Sequence, residues 1–538
     1  MTTTQANPLK KALWSRFTLT VKDKHWGSQA LLVVAIFLVW EILALTIFRH
    51  RFVLPTPVSI WSTAWQDHFY GSDLLTTLSE AGPGWLIGNG LAILLALAVL
   101  LSPKLESSLL SFGVMTYAVP TVALGPILFI MQTPYDAKVT MSALSVFFVT
   151  LIASVAGLRA ASRTSLEMAS AFGASKLQIL TKVRIRASIP SIAGGLCISA
   201  PASILGAVIG DYFGGQSGLG VVMLQAQEQL SVSRTWAIAL VTTVVSAAVY
   251  SFTLWMTKVF GAGPSVGTDF ASAGVLDEAK SRFVPIVKTT RVLFGLGLSL
   301  LAWDLIVHAS GLGGYFLKTP LDVWHYLFQS PAAALDRQAV FSTVATTLFH
   351  AGTGWALGTL FALIGAILLI LFPQANATIM PLVLVVRSVP LIAMTPLIAL
   401  LFGRGLLGIT IIAALVTVVP SLVTISDGLR SAPRTAMDLV TSLGGNRIQT
   451  LLRVQSMYGM PAIFTAAKIS MPGAILGAVL AEWMVSDSGV GHAMAYDVIG
   501  SNFSNLWASI SVVVALSLML YFGVGALERG IRSRLAIT

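Results

Sequence analysis

The sequence Leu-Gly-Ala-Val at residues 205–208 is repeated at residues 476–479, and the architecture of the chain follows from this repetition. Gly-Leu-Arg at residues 157–159 is repeated in the same register at 428–430. An offset of about 270 residues is far longer than the 20 to 50 residues of solenoid repeats. The chain therefore consists of two copies of one domain.

The repeat extends over nearly the whole of each half. Trp40 corresponds to Trp303, and Trp61 corresponds to Trp324. Further matching pairs are Thr56-Pro57 with Thr319-Pro320, Thr76-Thr77-Leu78 with Thr346-Thr347-Leu348, Gly84-Trp85 with Gly354-Trp355, and Pro120 with Pro390. In membrane proteins, duplicated halves usually enclose a shared path at their interface.

The composition is that of an integral membrane protein. Hydrophobic residues make up 56% of the chain and charged residues only 10%, whereas soluble domains carry roughly 25% charged residues. A bilayer requires apolar helices of about 20 residues. Such segments are predicted at 29–48, 84–101, 107–131, 139–158, 189–210, 236–256, 291–309, 354–372, 380–402, 406–426, 462–482 and 506–526. The sequence thus predicts an all-α membrane protein with six plus six spans.

The basic residues predict the orientation. Most of the 33 Lys and Arg residues lie in segments that are inside when both termini are cytoplasmic, and the positive-inside rule favours this arrangement. Topology and anionic lipid explain the net charge of +11, which therefore does not indicate a nucleic acid partner.

The predicted spans divide the chain into four segments. These are a cytoplasmic N-terminal segment 1–28, a first six-span domain 29–258, a cytoplasmic linker 259–290 and a second six-span domain 291–538. The longest external loops are expected at about 49–80 and 310–345. Neither loop is large enough to form a separate domain.

A polar segment recurs between the fourth and fifth predicted spans of each half. Glu167 precedes Gly173 by six positions, and Asp438 precedes Gly444 by six. The pattern predicts two short helices that meet at a glycine, which tolerates the backbone conformation of a tight bend. Apolar side chains such as Phe172 would face outward and suit docking into a groove of another protein. Alternatively, each acid is an ordinary solvated residue near a helix start, favoured by the helix dipole.

An acidic residue followed by a glycine-rich stretch recurs at the end of the fifth span. Asp211 precedes Ser-Gly-Leu-Gly at 217–220, and Glu482 precedes Ser-Gly-Val-Gly at 488–491. With these two motifs the chain resembles the permease subunits of bacterial ABC importers. Their hallmark loop begins with Glu-Ala-Ala and has a glycine six positions after the glutamate. The acid with its glycine-rich stretch resembles the branch that serves nitrate, sulfonates, taurine, bicarbonate and pyrimidine precursors.

The chain departs from the family pattern at three places in the loop. The two positions after the acid, which are alanines in the consensus, are Met168-Ala169 and Leu439-Val440, and the second copy has Asp438 instead of glutamate. The proline expected four residues before Pro190 and Pro461 is replaced by Arg186 and Met457. These departures predict looser docking for the second copy.

The resemblance implies two tandem type I importer permease domains whose loops, the coupling helices, dock on separate ATPase subunits. The implied coupling residues are Glu167, Ala169, Gly173, Leu177, Asp438, Gly444 and Ile448. Two copies of a cytoplasmic ATPase would use ATP and Mg, and an extracytoplasmic binding protein would deliver the solute to the bacterial inner membrane. The chain has no G-x-x-x-x-G-K-[ST] phosphate loop, so we expect no enzymatic activity, cofactor or metal of its own.

The candidate residues of the substrate pathway or gate are Asp211, Glu482, Arg387, Gly218 and Gly489. At a span end, an acid is either solvated by lipid headgroups, caps the adjoining turn, or lines the path. Arg387 lies inside an apolar run, where it offers a partner for a carboxylate, sulfonate or nitrate. Snorkelling and pairing with a neighbouring acid are the alternatives for Arg387.

The predicted function is import of a small polar solute, either a sulfonate-, nitrate- or bicarbonate-like anion or a pyrimidine-type precursor. The alternative is a twelve-span secondary carrier driven by an ion gradient, since such carriers also consist of two fused halves. The major-facilitator carriers have their charged signature between spans two and three, where this chain offers only Ser-Pro-Lys-Leu-Glu at 102–106. The polar loop between spans four and five favours the importer.

Overall fold

The structure is a computed structural model, which describes residues 26–46, 54–101, 113, 119–259, 284–373, 379–380, 383 and 390–535. The predicted N-terminal segment as far as residue 25, most of the linker 259–290 and Arg387 lie outside these residues. Apart from an isolated bridge between Gly313 and Leu317, the described residues contain no β-structure.

Each half contributes ten described helices in the same order. In the first half they are α1 Trp26–Leu45, α2 Pro57–Gln66, α3 Gly71–Leu101, α4 Thr121–Met131, α5 Pro134–Arg159, α6 Arg163–Ala171, α7 Lys176–Ile179, α8 Ile185–Gly214, α9 Leu219–Glu228 and α10 Val232–Val259. In the second half they are α11 Val284–Ser310, α12 Pro320–Phe328, α13 Ala333–Leu371, α14 Leu391–Phe402, α15 Leu406–Arg430, α16 Arg434–Ser442, α17 Arg447–Thr450, α18 Ser456–Val485, α19 Val490–Ile499 and α20 Phe503–Leu535. The duplication that the sequence predicts is therefore present in the structure.

Eight of the described helices are long and apolar enough to cross a membrane, four in each half. They are α3, α5, α8 and α10, and their counterparts α13, α15, α18 and α20. Helix α4 and the residues Gly295–Ser310 of α11 are apolar but shorter. The predicted spans at 107–131 and 380–402 extend into residues outside the described part of the chain.

The sequence predicts external loops at 49–80 and 310–345, but most of the described residues in these two segments are helical. Helix α3 begins at Gly71 and α13 begins at Ala333, well before the predicted span starts near 84 and 354. Before them lie α2 and α12, each capped by the hydroxyl of a threonine that precedes a proline. Polar residues in the first turns of α3 made this part of the chain resemble a loop.

Three long helices form the centre of each half. Helices α3, α5 and α8 pack on one another, and α13, α15 and α18 do the same. A Cβ atom on Gly84 of α3 would collide with Ser142 of α5, and one on Gly354 of α13 would collide with Ala413 of α15. Small residues of this kind let membrane helices approach closely and gain van der Waals contact. The recurring glycines are thus explained by helix packing.

The two halves share hydrophobic cores. Helix α4 contributes Ala123 and Ile127 to a core that is otherwise formed by the second half. Helix α14 contributes Ile392 to a core formed mainly by the first half. The side-chain amide of Gln227 also donates to the carbonyl of Ile392 at 3.4 Å. Each short helix thus crosses the boundary and holds the halves together.

Candidate functional site

The first polar loop folds as two short helices joined by a left-handed glycine. Helix α6 ends at Ala171, and Gly173 has φ +74°. The amide of Gly173 donates to the carbonyl of Ser170, and the amide of Ala174 donates to the carbonyl of Ala169, both at 3.0 Å. This is the Schellman pattern, in which a left-handed glycine ends a helix. The bend predicted at the glycine is confirmed.

The second loop repeats this geometry. Gly444 has φ +79°, its amide donates to Thr441 at 3.0 Å, and the amide of Gly445 donates to Val440 at 2.9 Å. A Cβ atom at Gly173 or Gly444 would meet no other atom within 4 Å. Both positions therefore require glycine for its backbone freedom, since space for a side chain is available.

The loops present apolar side chains to the surroundings. Phe172 is 85% exposed and Leu443 is 80% exposed. The other exposed apolar residues of the two loops are Met168, Leu177, Leu439, Ile448 and Leu452. Glu167 and Asp438 are also exposed. Apolar side chains projecting from a polar loop are suited to an apolar groove on another protein.

Each loop leads directly into a long helix. Helix α7 starts with a reciprocal pair in which Ser175 and Gln178 bond each other's backbone amides, and Asn446 and Gln449 do so at α17. In the first half, a single π-helical turn at Leu180–Arg184 then joins α7 to α8 without a break. The end of the polar loop and the far end of α8 therefore belong to one continuous helical segment.

At the far end of α8, Asp211 is buried, with only 1% of its surface exposed. Its Oδ2 accepts a hydrogen bond from the Thr77 hydroxyl at 2.7 Å, and its Oδ1 lies 2.9 Å from Lys138 Nζ. Lys138 also pairs with Glu80 at 2.7 Å. The amides of the next helix complete the site, because Leu219 N donates to Thr77 Oγ1 at 2.9 Å. A buried carboxylate is stable only with such charge and hydrogen-bond partners.

The far end of α18 carries the equivalent arrangement around Glu482, which is 0% exposed. Its Oε2 accepts from the Thr347 hydroxyl at 2.6 Å and from Gly491 N at 3.0 Å. Thr347 accepts from Val490 N at 2.8 Å. The basic side chain differs, since His350 Nδ1 lies 2.8 Å from Glu482 Oε1. We call these arrangements the first clamp (Thr77, Glu80, Lys138, Asp211) and the second clamp (Thr347, His350, Glu482).

The clamps explain the glycines after each acid. Gly218 has φ +119° and Gly489 has φ +92°, and a Cβ atom at either would collide with the carboxylate of Asp211 or Glu482. The acid caps the following helix through the amide of Gly220, which lies 3.4 Å from Asp211 Oδ2. The burial of both acids excludes their solvation by lipid headgroups.

The predicted residues therefore fall into two groups at opposite ends of the molecule. The predicted coupling residues lie on the loops, Asp211 and Glu482 lie in the clamps, and Gly218 and Gly489 lie in the turns beside the clamps. Sequence reasoning missed the clamp partners, which are Thr77, Glu80, Lys138, Thr347 and His350. The only signal for them was the recurrence of Thr-Thr-Leu at 76–78 and 346–348.

Comparison with known proteins identifies the family. The model of the family described as "binding-protein-dependent transport system inner membrane component" matches the chain twice, over residues 88–263 and 354–533. The chain belongs to this family. This permease is therefore a multi-pass protein of the inner membrane and a transport subunit, and its family works with ATPase and solute-binding partners.

Each of the following relatives aligns with less than half of the permease. A probable ABC transporter permease of Haemophilus influenzae is 29% identical over 243 residues, which covers 44% of this chain and 95% of the relative. A formylaminopyrimidine transport permease of Halalkalibacterium halodurans is 28% identical, covering 35% of this chain and 77% of the relative. A putative aliphatic sulfonates transport permease of Bacillus subtilis is 28% identical, covering 43% and 85% respectively.

Proposed function

We propose that this permease is the translocation subunit of an ATP-driven importer for a small polar solute. The observation that carries the proposal is the pair of bent loops, each with a left-handed glycine and exposed apolar side chains such as Phe172 and Leu443. A repeated surface of this kind fits two identical grooves. Glu167, Ala169, Leu177 and their counterparts are the proposed contact residues.

The partners follow from the duplication. One fused chain with two loops would bind two copies of a cytoplasmic ATPase, which would hold the ATP and Mg that power transport. The loops and both termini would then face the cytoplasm. The clamps would lie at the external end, where an extracytoplasmic solute-binding protein releases its solute.

The solute class is inferred from the relatives. Their names refer to formylaminopyrimidine, aliphatic sulfonates and taurine. We propose a solute of the same chemistry, either a small anion of the sulfonate, nitrate or bicarbonate type or a pyrimidine-type precursor. Arg387 stays a predicted partner for the negative charge of such an anion.

The path would run between the halves, alongside α8 and α18. Asp211 and Glu482 are buried within their own halves, so they would act on the gate by holding the turns that contain Gly218 and Gly489. Direct contact with the solute is therefore assigned to other side chains of the path.

The test is an affinity purification of the permease from its native membrane in mild detergent, with mass spectrometry of the proteins that co-purify. The expected result is an ATPase with a phosphate-binding loop, at two copies per permease. Recovery of the permease alone, under conditions that preserve other importer complexes, would instead favour a carrier driven by an ion gradient.

A further inference from the structure

The two clamps hold their turns unequally. The first turn, residues 215–220, is held by four hydrogen bonds to neighbouring helices. Lys138 Nζ donates to Ser217 O at 3.1 Å, and Gly218 N donates to Asp73 at 3.2 Å. Leu219 N donates to Thr77 at 2.9 Å, and Gly220 N donates to Asp211 at 3.4 Å. For the second turn, residues 486–491, the structure gives two such bonds, from Val490 N to Thr347 and from Gly491 N to Glu482.

The difference arises from three substitutions between the repeats. Counted back from the shared Gly-Leu-Arg, Lys138 of the first half corresponds to Ile409 of the second, which is 1% exposed. Counted from the shared Thr-Thr-Leu, Glu80 corresponds to His350 and Asp73 to Thr343. The hydroxyl of Thr343 bonds backbone carbonyls of its own helix and does not reach the turn.

Lys138 is the residue that connects the first clamp. From α5 it binds Glu80 on α3, Asp211 on α8 and the carbonyl of Ser217 in the first turn. Its side chain is 5% exposed, and those of Glu80 and Asp211 are 3% and 0% exposed. Separating these buried charges is costly, because each would be left without a partner at low dielectric. In the second half, the contact between His350 and Glu482 joins α13 to α18, and the structure gives no bond from His350 to the second turn.

We propose that the first turn is a fixed anchor of the external gate and that the second turn is the part that moves during transport. Lys138 and Glu80 are positioning residues that hold the anchor, and their replacement by Ile409 and His350 leaves the second turn free to open. The gating role rests on the proposed importer function, whereas the unequal stability of the turns does not depend on it.

The first experiment measures that stability without any partner protein. Hydrogen exchange followed by mass spectrometry on the permease in lipid nanodiscs should show amides of 215–220 exchanging about tenfold more slowly than those of 486–491. Lys138→Met should accelerate exchange in the first turn only, and Lys138→Arg, which keeps the charge, should restore most of the protection. Equal exchange in the two turns of the wild-type protein would overturn the proposal.

The second experiment exchanges the two clamps. The double variant Glu80→His with Lys138→Ile gives the first half two of the three residues that differ in the second, and His350→Glu with Ile409→Lys makes the reverse replacement. The variant His350→Glu with Ile409→Lys should slow hydrogen exchange at 486–491. It should also reduce ATP-driven uptake by about tenfold, because a fixed second turn blocks opening. Unchanged uptake with a protected second turn would show that this turn is not the moving part.

The two experiments separate this inference from the proposed function. If the chain is not an ATP-driven importer, ATP-driven uptake is absent in the wild-type protein, whereas the difference in hydrogen exchange is still expected. If the chain is an importer but the turns are equivalent, uptake is present and the exchange rates are equal.

Discussion

The ring of Phe213 in the first half meets the ring of Trp483 in the second half edge-on, with 5.9 Å between ring centroids and an interplanar angle of 90°. Each residue lies next to a clamp acid in sequence, Phe213 two positions after Asp211 and Trp483 directly after Glu482. The contact thus joins the ends of α8 and α18 across the boundary between the halves.

This contact predicts an energetic coupling between the halves. Phe213→Leu and Trp483→Leu should destabilise the protein non-additively, with an interaction energy of about 0.5–1.5 kcal/mol, since edge-to-face aromatic pairs contribute that much beyond their buried area. A double-mutant cycle on unfolding in detergent measures it. The pair Phe252 and Trp255, which lies within α10, is the control for an aromatic contact inside one half. Simple additivity for Phe213 and Trp483 would contradict the prediction.

The loop glycines should be required for coupling to ATP hydrolysis. Replacing Gly173 and Gly444 together by valine forces a β-branched residue into the left-handed region, which distorts the bend, although an added Cβ atom alone would meet no atom within 4 Å. We expect ATP-driven uptake to fall by about tenfold or more while membrane insertion is unchanged. Asparagine at both positions tolerates the left-handed conformation and should keep most of the activity. Normal coupling in the valine variant would show that the bend is not a docking element.

Gly218 and Gly489, the glycines in the turns beside the clamps, should be required for stability because an added side chain there would collide with a carboxylate. Gly218→Ala adds a left-handed penalty of roughly 1–2 kcal/mol and also a collision with Asp211. Gly403→Ala is the matched control, because Gly403 has φ +87° and an added methyl group there would meet no atom within 4 Å. Thermal unfolding in detergent should show a clearly larger loss for Gly218→Ala. Equal losses in the two variants would mean that the carboxylate moves away at little cost.

Asp497 should make stability depend on pH. It lies on α19, outside the candidate spans, and its burial raises the pKa of the carboxyl from 3.8 to about 6, against the opposing hydrogen bond from Asn505 Nδ2 at 2.8 Å. The native state therefore binds this proton more tightly than the unfolded chain. The stabilisation that comes from protonation of Asp497 is complete below about pH 4 and is lost as the pH rises through about 6.

Asp497→Asn removes the charge and should raise the thermal midpoint by a few degrees at about pH 8, with little change at about pH 4. Asp487→Asn, which changes an exposed acid in the same half, should have a small effect at both values. Differential scanning fluorimetry across this range is the measurement. An identical gain at both pH values for Asp497→Asn would contradict the burial argument.

The bend of the coupling loops could be predicted from the sequence because its cause is local. Glycine is the residue that adopts a φ near +74° without strain, so Gly173 marks the turn regardless of the tertiary structure. The same holds for the long apolar helices, whose composition alone suits a bilayer.

The clamps could not be predicted because their contacts join distant parts of the chain. Asp73 and Glu80 are polar residues in a helix, and they made residues 49–80 resemble an external loop. In the structure, Asp73 accepts from Gly218 N and Glu80 pairs with Lys138. Polar residues can therefore lie in a long membrane helix when a partner from another helix satisfies them.

The π-helical turn at Leu180–Arg184 joins the first polar loop to the helix that carries Asp211. The helical segment Leu177–Gly214 has 38 residues, and at 1.5 Å per residue it is roughly 57 Å long. A rod of this length carries Leu177 at one end and Asp211 near the other. If a partner displaced the loop by a few ångströms, this continuous helix would carry the movement toward Asp211, and Pro190 and Pro201 inside it are the points at which it would bend.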